Sequence, residues 1–259
     1  DRILRSALES VNMFDNEYVT MREHMRFAAI ADDVTGGTDL AGVLGRAGID
    51  VVQLLGLPTS PLPPADAIVI SLKIRTAPPG DAVAAARAAA QALQRAGASQ
   101  VFFKYCSTFD STPDGNIGPV LDALLDPFDA ALAVACPAYP TMARTVYAGH
   151  LFVGDQLLSD SPMRHHPLTP MTDANLVRWL GRQSRLPVGL VPLRTVEQGA
   201  AHLTGDLERL RAAGIRVAIT DAVFDRHVEI IAEATERLPV ASGGAAPRAD
   251  PPPASRGPR

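Results

Sequence analysis

Phe27-Ala28-Ala29-Ile30-Ala31-Asp32-Asp33-Val34-Thr35-Gly36-Gly37-Thr38-Asp39 is the stretch that decides the fold. An unbroken apolar run ends abruptly in two acids, and helix-periodic Leu40, Val43 and Leu44 follow. That is the pattern of a buried strand delivering carboxylates to a helix start. Adjacent carboxylates are costly in an apolar setting, because like charges a few ångströms apart disfavour joint ionisation; they need hydrogen bonds, a cation or a polar ligand. In an open α/β sheet the carboxyl end of a strand is also where ligands sit. A plain Asp/Thr helix cap remains the alternative reading of these residues taken alone.

Outward from this stretch, strands alternate with helices. The first helix is expected over about 37–47, closed by Gly48. Val51–Leu55, Ala67–Leu72, Val101–Lys104 and Ala131–Ala135 read as strands, and the Ala-rich Asp81–Ala96 and the segment near Ile117–Leu125 as helices. From Cys136 to Pro170 regularity is lost among Pro, Gly and His, and loops of that length are usually functional. The rhythm resumes with a helix over Thr172–Gln183 capped by Thr172 or Asp173, then a strand at Val188–Val191 and a helix over 196–213. A strand at Arg216–Thr220, a helix over 224–237 and a short run at Pro239–Ala241 complete it. Strands roughly 30 residues apart with helices between them imply right-handed βαβ units, hence an α/β fold with a mostly parallel sheet and helices on both faces.

Of the 259 residues 47% are hydrophobic and 20% charged, with a net charge of −4, as in an ordinary globular protein. No basic field exists to attract nucleic acid. No apolar run approaches the roughly 18–20 residues of a membrane span, so no membrane partner is expected. Cys106 and Cys136 lack CxxC or CxxH spacing, which supports neither a disulfide framework nor a zinc site and fits a reducing cytoplasm. Residues 1–25 are expected to be an extension, residues 26–244 the domain, and the Pro/Arg/Ala-rich 245–259 a disordered tail. Self-association into a homo-oligomer is left open by the composition.

Chemistry concentrates in segments that leave strands. Asp32 to Asp39 offers carboxylates, the Thr35 and Thr38 hydroxyls and backbone N–H groups at a Gly-Gly helix start, which suits an anionic, hydroxylated substrate. Phe103-Lys104-Tyr105-Cys106-Ser107-Thr108-Phe109-Asp110-Ser111-Thr112-Pro113-Asp114-Gly115-Asn116-Ile117-Gly118 suits the same ligand, with lysine for charge and Ser, Thr and Asn for hydroxyls. The alternative there is a solvated loop with Asn116 as a helix cap. Arg75, in Ser71-Leu72-Lys73-Ile74-Arg75, can fork onto a carboxylate. His150, His165 and His166 lack metal-ligand spacing, so no metal site is expected. The chain has no P-loop, no G-x-G-x-x-G after a strand and no G-x-S-x-G elbow.

Taken together these segments resemble the four-carbon acid sugar kinase family, and within it the 3-oxo-tetronate branch. The likeness rests on Ile30 to Asp39, Ile70 to Arg75, Phe103 to Gly118, Arg144 to Val153 and Met163 to Asp173. The wider family looks like D-S-T-L-R-G-N-I-G at the second segment, where this chain has Pro113-Asp114 in place of Leu-Arg. The resemblance implies a transferase of carbohydrate metabolism, an ATP-dependent kinase acting on the 4-hydroxyl of a C4 sugar acid. It also implies two α/β domains, an N-terminal one for the sugar acid and a C-terminal one for the nucleotide. The second is expected to be absent from this chain, as though its coding sequence were truncated or frameshifted after Gly244. ATP and Mg2+ would then arrive with that other domain, and this chain alone is expected to be inactive. In the intact enzyme Arg75 and Lys104 are expected on the substrate carboxylate, and Asp32, Ser107, Thr108, Asp110 and Asn116 on hydroxyl and oxo groups. Asp33 is expected as the general base or aligner. A non-catalytic sugar-acid-binding module is the rival reading, and an unrelated α/β hydrolase or isomerase a third.

Overall fold

The computed structural model describes residue 25 and residues 27–244; the expectations for the N-terminal extension and for the 245–259 tail fall outside the described residues, except that Met25 packs against the larger core. Eight strands form one sheet: β1 (Phe27–Ala31), β2 (Val51–Leu55), β3 (Ala67–Ser71), β4 (Val101–Lys104), β5 (Ala133–Cys136), β9 (Val188–Val191), β10 (Val217–Thr220) and β11 (Val240–Gly243). Every neighbouring pair is parallel, in the order β2-β3-β1-β4-β11-β5-β10-β9. The carboxyl ends therefore all emerge along one edge. The order also repeats from both sides, since β2-β3-β1-β4 read from one flank matches β9-β10-β5-β11 read from the other. After β1 the chain winds to one side through β2 and β3, then crosses to place β4 on the other. Such a reversal opens a crevice at the strand ends.

Strand periodicity separates two cores. Ala28 and Ile30 of β1 join the larger core with Ile68, Ile70 and the Ala-rich face of α2 (Pro79–Arg95), where Ala82, Ala86, Ala89 and Ala90 are fully buried. Ala29 and Ala31 point the other way, onto Leu40 and Leu44 of α1 (Val34–Arg46). Small residues on both sides let helix and sheet approach closely. α1 starts at Val34, three residues before the expected 37, because Asp33 caps it, and Gly48 at φ 81° ends it.

The segment read as irregular holds a three-stranded antiparallel sheet, β6 (Arg144–Tyr147), β7 (His150–Val153) and β8 (Gln156–Leu157). These strands pair with one another and lack the alternating helices by which equally short strands such as β4 and β9 were read. The helix expected from Thr172 begins instead at α4 (Leu176–Gln183), where the Asn175 side chain accepts from the Arg178 amide at 2.9 Å. Asp173, proposed as the cap, pairs with Arg178 at 2.6 Å. α3 (Ile117–Leu125) follows the reading, and the helix expected over 196–213 is broken at Gly199, φ 94°, into α5 (Leu193–Val196) and α6 (Ala200–Ala212). α7 (Asp225–Thr235) precedes β11, and that short final run lies between β4 and β5 in the middle of the sheet. No helix among the described residues is long and apolar enough to cross a membrane.

Candidate functional site

β1, β3 and β4 deliver the candidate residues to one crevice. Asp32, 2% exposed, receives a two-pronged grip from Arg75: Nε donates to Oδ2 and Nη2 to Oδ1, each at 2.9 Å. Arg75 Nη2 also lies 3.1 Å from Asp33 Oδ1, and Nη1 3.9 Å from Asp110 Oδ2. One guanidinium thus joins three of the acids singled out in the sequence. Burial pushes the Asp32 carboxyl above its ordinary range, and the Arg75 hydrogen bonds and charge pull back against it. Both Asp32 oxygens are engaged by this fork.

Asp33 does two things at once. Its Oδ1 accepts from the Gly36 amide at 2.7 Å, which makes it the α1 cap of the alternative reading, and the same oxygen faces Arg75. Its Oδ2 has no partner among the described residues, on a side chain 28% exposed. Gly37 is required for this packing, because a Cβ there would stand 1.9 Å from Ser71 Oγ. Ser71 Oγ in turn accepts from Gln53 Nε2 at 2.8 Å, and Gln53 Oε1 accepts from Thr38. α1 is thereby pinned to β2 and β3.

Lys104 ends β4 and is 4% exposed. Nζ donates to the Tyr105 carbonyl at 3.0 Å, and no carboxylate lies within 4.0 Å of it among the described residues. A Cβ on Gly36 would be 3.5 Å from that nitrogen, so the ammonium sits against the first turn of α1. Burial lowers its pKa, opposed by Asp39 and Asp32 at longer range. A buried cation beside the positive end of a helix is an arrangement that awaits an anion.

The Tyr105–Gly118 loop follows. Thr108 Oγ1 donates to Asp110 Oδ1 at 2.5 Å and lies 2.9 Å from Cys106 Sγ, while the Ser107 hydroxyl, half-buried, has no partner among the described residues. Phe109 takes φ 56°, held by edge-on contact with Tyr105 and by Ser111, whose hydroxyl donates to the Phe109 carbonyl. Ser111 Oγ also accepts from Trp179 Nε1 at 3.2 Å and Gln183 Nε2 at 2.9 Å, which ties the loop to α4. Asn116 makes no side-chain cap bond to α3. Its Nδ2 turns instead to the segment after β3, within 2.5 Å of the Ile74 carbonyl, 2.8 Å of Ala77 and 3.4 Å of Arg75.

Sequence reading passed over Asp221, which follows β10 as Asp32 follows β1. It is 1% exposed and accepts from the amides of Ala148 and Gly149 at 2.8 Å and of Leu193 at 3.0 Å. The signal was available, since Val217-Ala218-Ile219-Thr220-Asp221 repeats the grammar of an apolar run ending in an acid. His150 and His166 are hydrogen-bonded to their own loops, at Ala148 and Thr169. No three His, Cys, Asp or Glu side chains among the described residues converge as a metal site.

A doubly wound α/β domain with a buried lysine and an arginine clasped by carboxylates at the carboxyl edge of its central strands belongs to the ligand-binding class of open-sheet domains. More specifically, the chain belongs to the family of sugar-binding N-terminal domains, whose model matches residues 27–249. It is similar to a 3-oxo-tetronate kinase of Burkholderia multivorans, 54% identical over 216 residues that make up 83% of this chain and 50% of that one. It is also similar to one of Escherichia coli, 48% identical over 221 residues, 85% of this chain and 57% of that one. The chain thus spans about half the length of the curated relatives it matches. Among solved structures, a Haemophilus influenzae protein superposes with a TM-score of 0.82 at 46% identity, over 84% of this chain and 53% of that one. A Bordetella bronchiseptica domain of unknown function, crystallised with bound citrate as a domain-swapped dimer, superposes with a TM-score of 0.71 at 28% identity, over 87% and 55%. The family resemblance and the α/β architecture read from the sequence both hold.

Proposed function

We propose that this chain is the sugar-acid-binding part of an ATP-dependent kinase that phosphorylates the 4-hydroxyl of a 3-oxo-tetronate-type acid. The observation that carries the proposal is Lys104, a buried ammonium with no carboxylate partner among the described residues, set against the α1 N-terminus beside Asp33. The names of the half-matched relatives supply the substrate class.

The geometry divides the expected roles unequally. Arg75, expected on the substrate carboxylate, already faces Asp32, Asp33 and Asp110. A further anion there would meet each of those charges, at roughly 4 kcal/mol per pair 4 Å apart for an effective dielectric of about 20. Lys104 and the α1 amides therefore take the substrate carboxylate. Ser107, with a free hydroxyl, and the Thr108–Asp110 pair take hydroxyl and oxo groups. Asp32 and Asn116 act one step back, through Arg75.

Asp33 Oδ2 is the free carboxylate oxygen that receives the attacking hydroxyl's proton or fixes its lone pair. Its Oδ1 is locked by Gly36 and Arg75, so the free oxygen has a set direction. Phosphoryl transfer asks chiefly for positioning and charge neutralisation, which an oriented carboxylate serves. The nucleotide and its magnesium do not fit these residues: no metal-holding cluster is present among the described residues, and the sequence has no P-loop. They are assigned to the remaining half of the kinase, and no step is drawn through them.

Calorimetry of the chain with a panel of C4 acids tests the reading. Binding of 3-oxo-tetronates, weakened about a hundredfold in Lys104→Met, is the expected result. Absence of binding across the whole panel overturns it. ATP consumption on mixing the chain with a separately expressed second half of a relative tests the kinase assignment.

A further inference from the structure

Arg75 stands on a turn that has no regular secondary structure, between β3 and α2. A long side chain on such a turn has many rotamers, and holding one costs side-chain entropy. Yet its guanidinium must reach three acids from two other strand ends. The turn is fixed from below by two backbone bonds, since the amides of Ile74 and Arg75 both donate to the Asp32 carbonyl, at 3.0 and 3.3 Å. It is fixed from the side by Asn116, whose Nδ2 lies against the carbonyls of Ile74, Arg75 and Ala77. Those contacts span 39 to 42 residues of sequence and join the second candidate loop to the first.

Asn116 is 4% exposed, and its Oδ1 has no partner among the described residues. An unpartnered buried amide oxygen costs free energy and is retained only where the other end of the group has work to do. A helix cap is not that work, because the side chain makes no bond to α3. We propose that Asn116 is a positioning residue, whose amide sets the Ile74–Ala77 turn so that Arg75 spans Asp32, Asp33 and Asp110.

The purpose of the device rests on the sugar-acid reading: with Arg75 saturated by acids, the incoming carboxylate is left to Lys104. Its test does not rest on that reading. Asp32 reports where Arg75 is, since burial raises its pKa and Arg75 is the largest opposing influence. The charged and titratable groups around it are Arg75 from the turn, Asp33 from the start of α1, Lys104 from β4 and Tyr105 beyond it.

The experiment follows the Asp32 side-chain carboxyl carbon by NMR through a pH titration of the full chain, as wild type and as Asn116→Ala. Ser111→Ala serves as a control that disturbs the same loop without touching the turn. The expected result is an upward move of the Asp32 midpoint by about one pH unit in Asn116→Ala, and none in the control. An unmoved midpoint in a folded Asn116→Ala chain overturns the proposal. Should that variant not fold, Asn116→Leu, which keeps the side-chain volume and has no donor, is read in the same way. A moved midpoint in a chain that binds no sugar acid upholds the positioning role and removes only the functional reading. Retained sugar-acid binding with an unmoved midpoint overturns the positioning role and leaves the functional reading standing.

Discussion

Arg75 holds Asp32 by two parallel hydrogen bonds of 2.9 Å, and the carboxylate so held is almost wholly buried. Removing one partner of a buried pair leaves the other charge uncompensated, which costs about 3–5 kcal/mol. Arg75→Met should therefore lose stability of that order at pH 7. The loss should shrink toward pH 4, because burial already raises the Asp32 pKa and the variant raises it further, so protonation relieves the unpaired charge. Urea unfolding at the two pH values checks this; an equal loss at both would show that Asp32 does not bear the charge.

Lys104 gives the opposite sign. A base whose folded pKa is lowered binds fewer protons folded than unfolded, so stability rises with pH between the lowered value and the ordinary 10.5. Lys104→Met should remove that rise and should be no less stable than wild type at pH 7, since a buried ammonium without a carboxylate partner is gone. The same variant should bind sugar acids about a hundredfold more weakly, the loss of a charge-assisted contact of roughly 3 kcal/mol. Melting curves from pH 7 to 10, alongside calorimetry, separate the two effects.

Much of this was legible because buried parallel strands announce themselves as apolar runs, and a run that stops at an acid or a lysine marks the functional edge. Asp32, Asp33, Arg75, Lys104 and Asp110 came into view that way, and the structure brings them together. What stayed hidden was the direction of each side chain. Arg75 read as a ligand for a substrate carboxylate because it leaves a buried strand, and the sequence does not show that three acids stand around it. Asn116 read as a substrate ligand or a cap because its partners lie 39 to 42 residues away. β6 to β8 escaped because they pair with one another in a Pro-, Gly- and His-rich stretch without the alternating helices by which equally short strands such as β4 and β9 were read, and β11 looked negligible because Ala241, Ser242 and Gly243 are small. Small residues are what that central position demands: a Cβ on the following Gly244 would stand 2.4 Å from the Pro137 carbonyl and 2.5 Å from Ser107 Cα.

Gly37 offers a test of close approach. Ala at this position would drive a methyl group to within 1.9 Å of Ser71 Oγ, so α1 must shift. Overpacking of this kind costs about 1–3 kcal/mol and carries the Asp33 cap with it. Gly37→Ala should weaken sugar-acid binding as well as lower the melting temperature. Adding Ser71→Ala removes the colliding hydroxyl and should recover part of both losses, a coupling measurable in a double-mutant cycle. Strict additivity would place the strain elsewhere.

Asp221 tests whether the far flank of the sheet is organised by the same device as the near one. Its Oδ1 takes the Gly149 amide, and its Oδ2 takes those of Ala148 and Leu193. Ala148 sits at φ 49°, a conformation a side-chain-bearing residue adopts only when its surroundings fix it, so the carboxylate is what holds the β6–β7 turn in place. Asp221→Asn keeps the shape but turns an NH2 toward backbone N–H donors, leaving at least one of them unsatisfied at about 1–3 kcal/mol. Asp221→Asn should therefore destabilise the chain by that amount, with faster amide exchange at Ala148, Gly149 and Leu193. The Arg75 cluster stands at the ends of other strands, so the Asp32 titration should stay in place. Loss of protection confined to Leu193 would show that the turn holds itself.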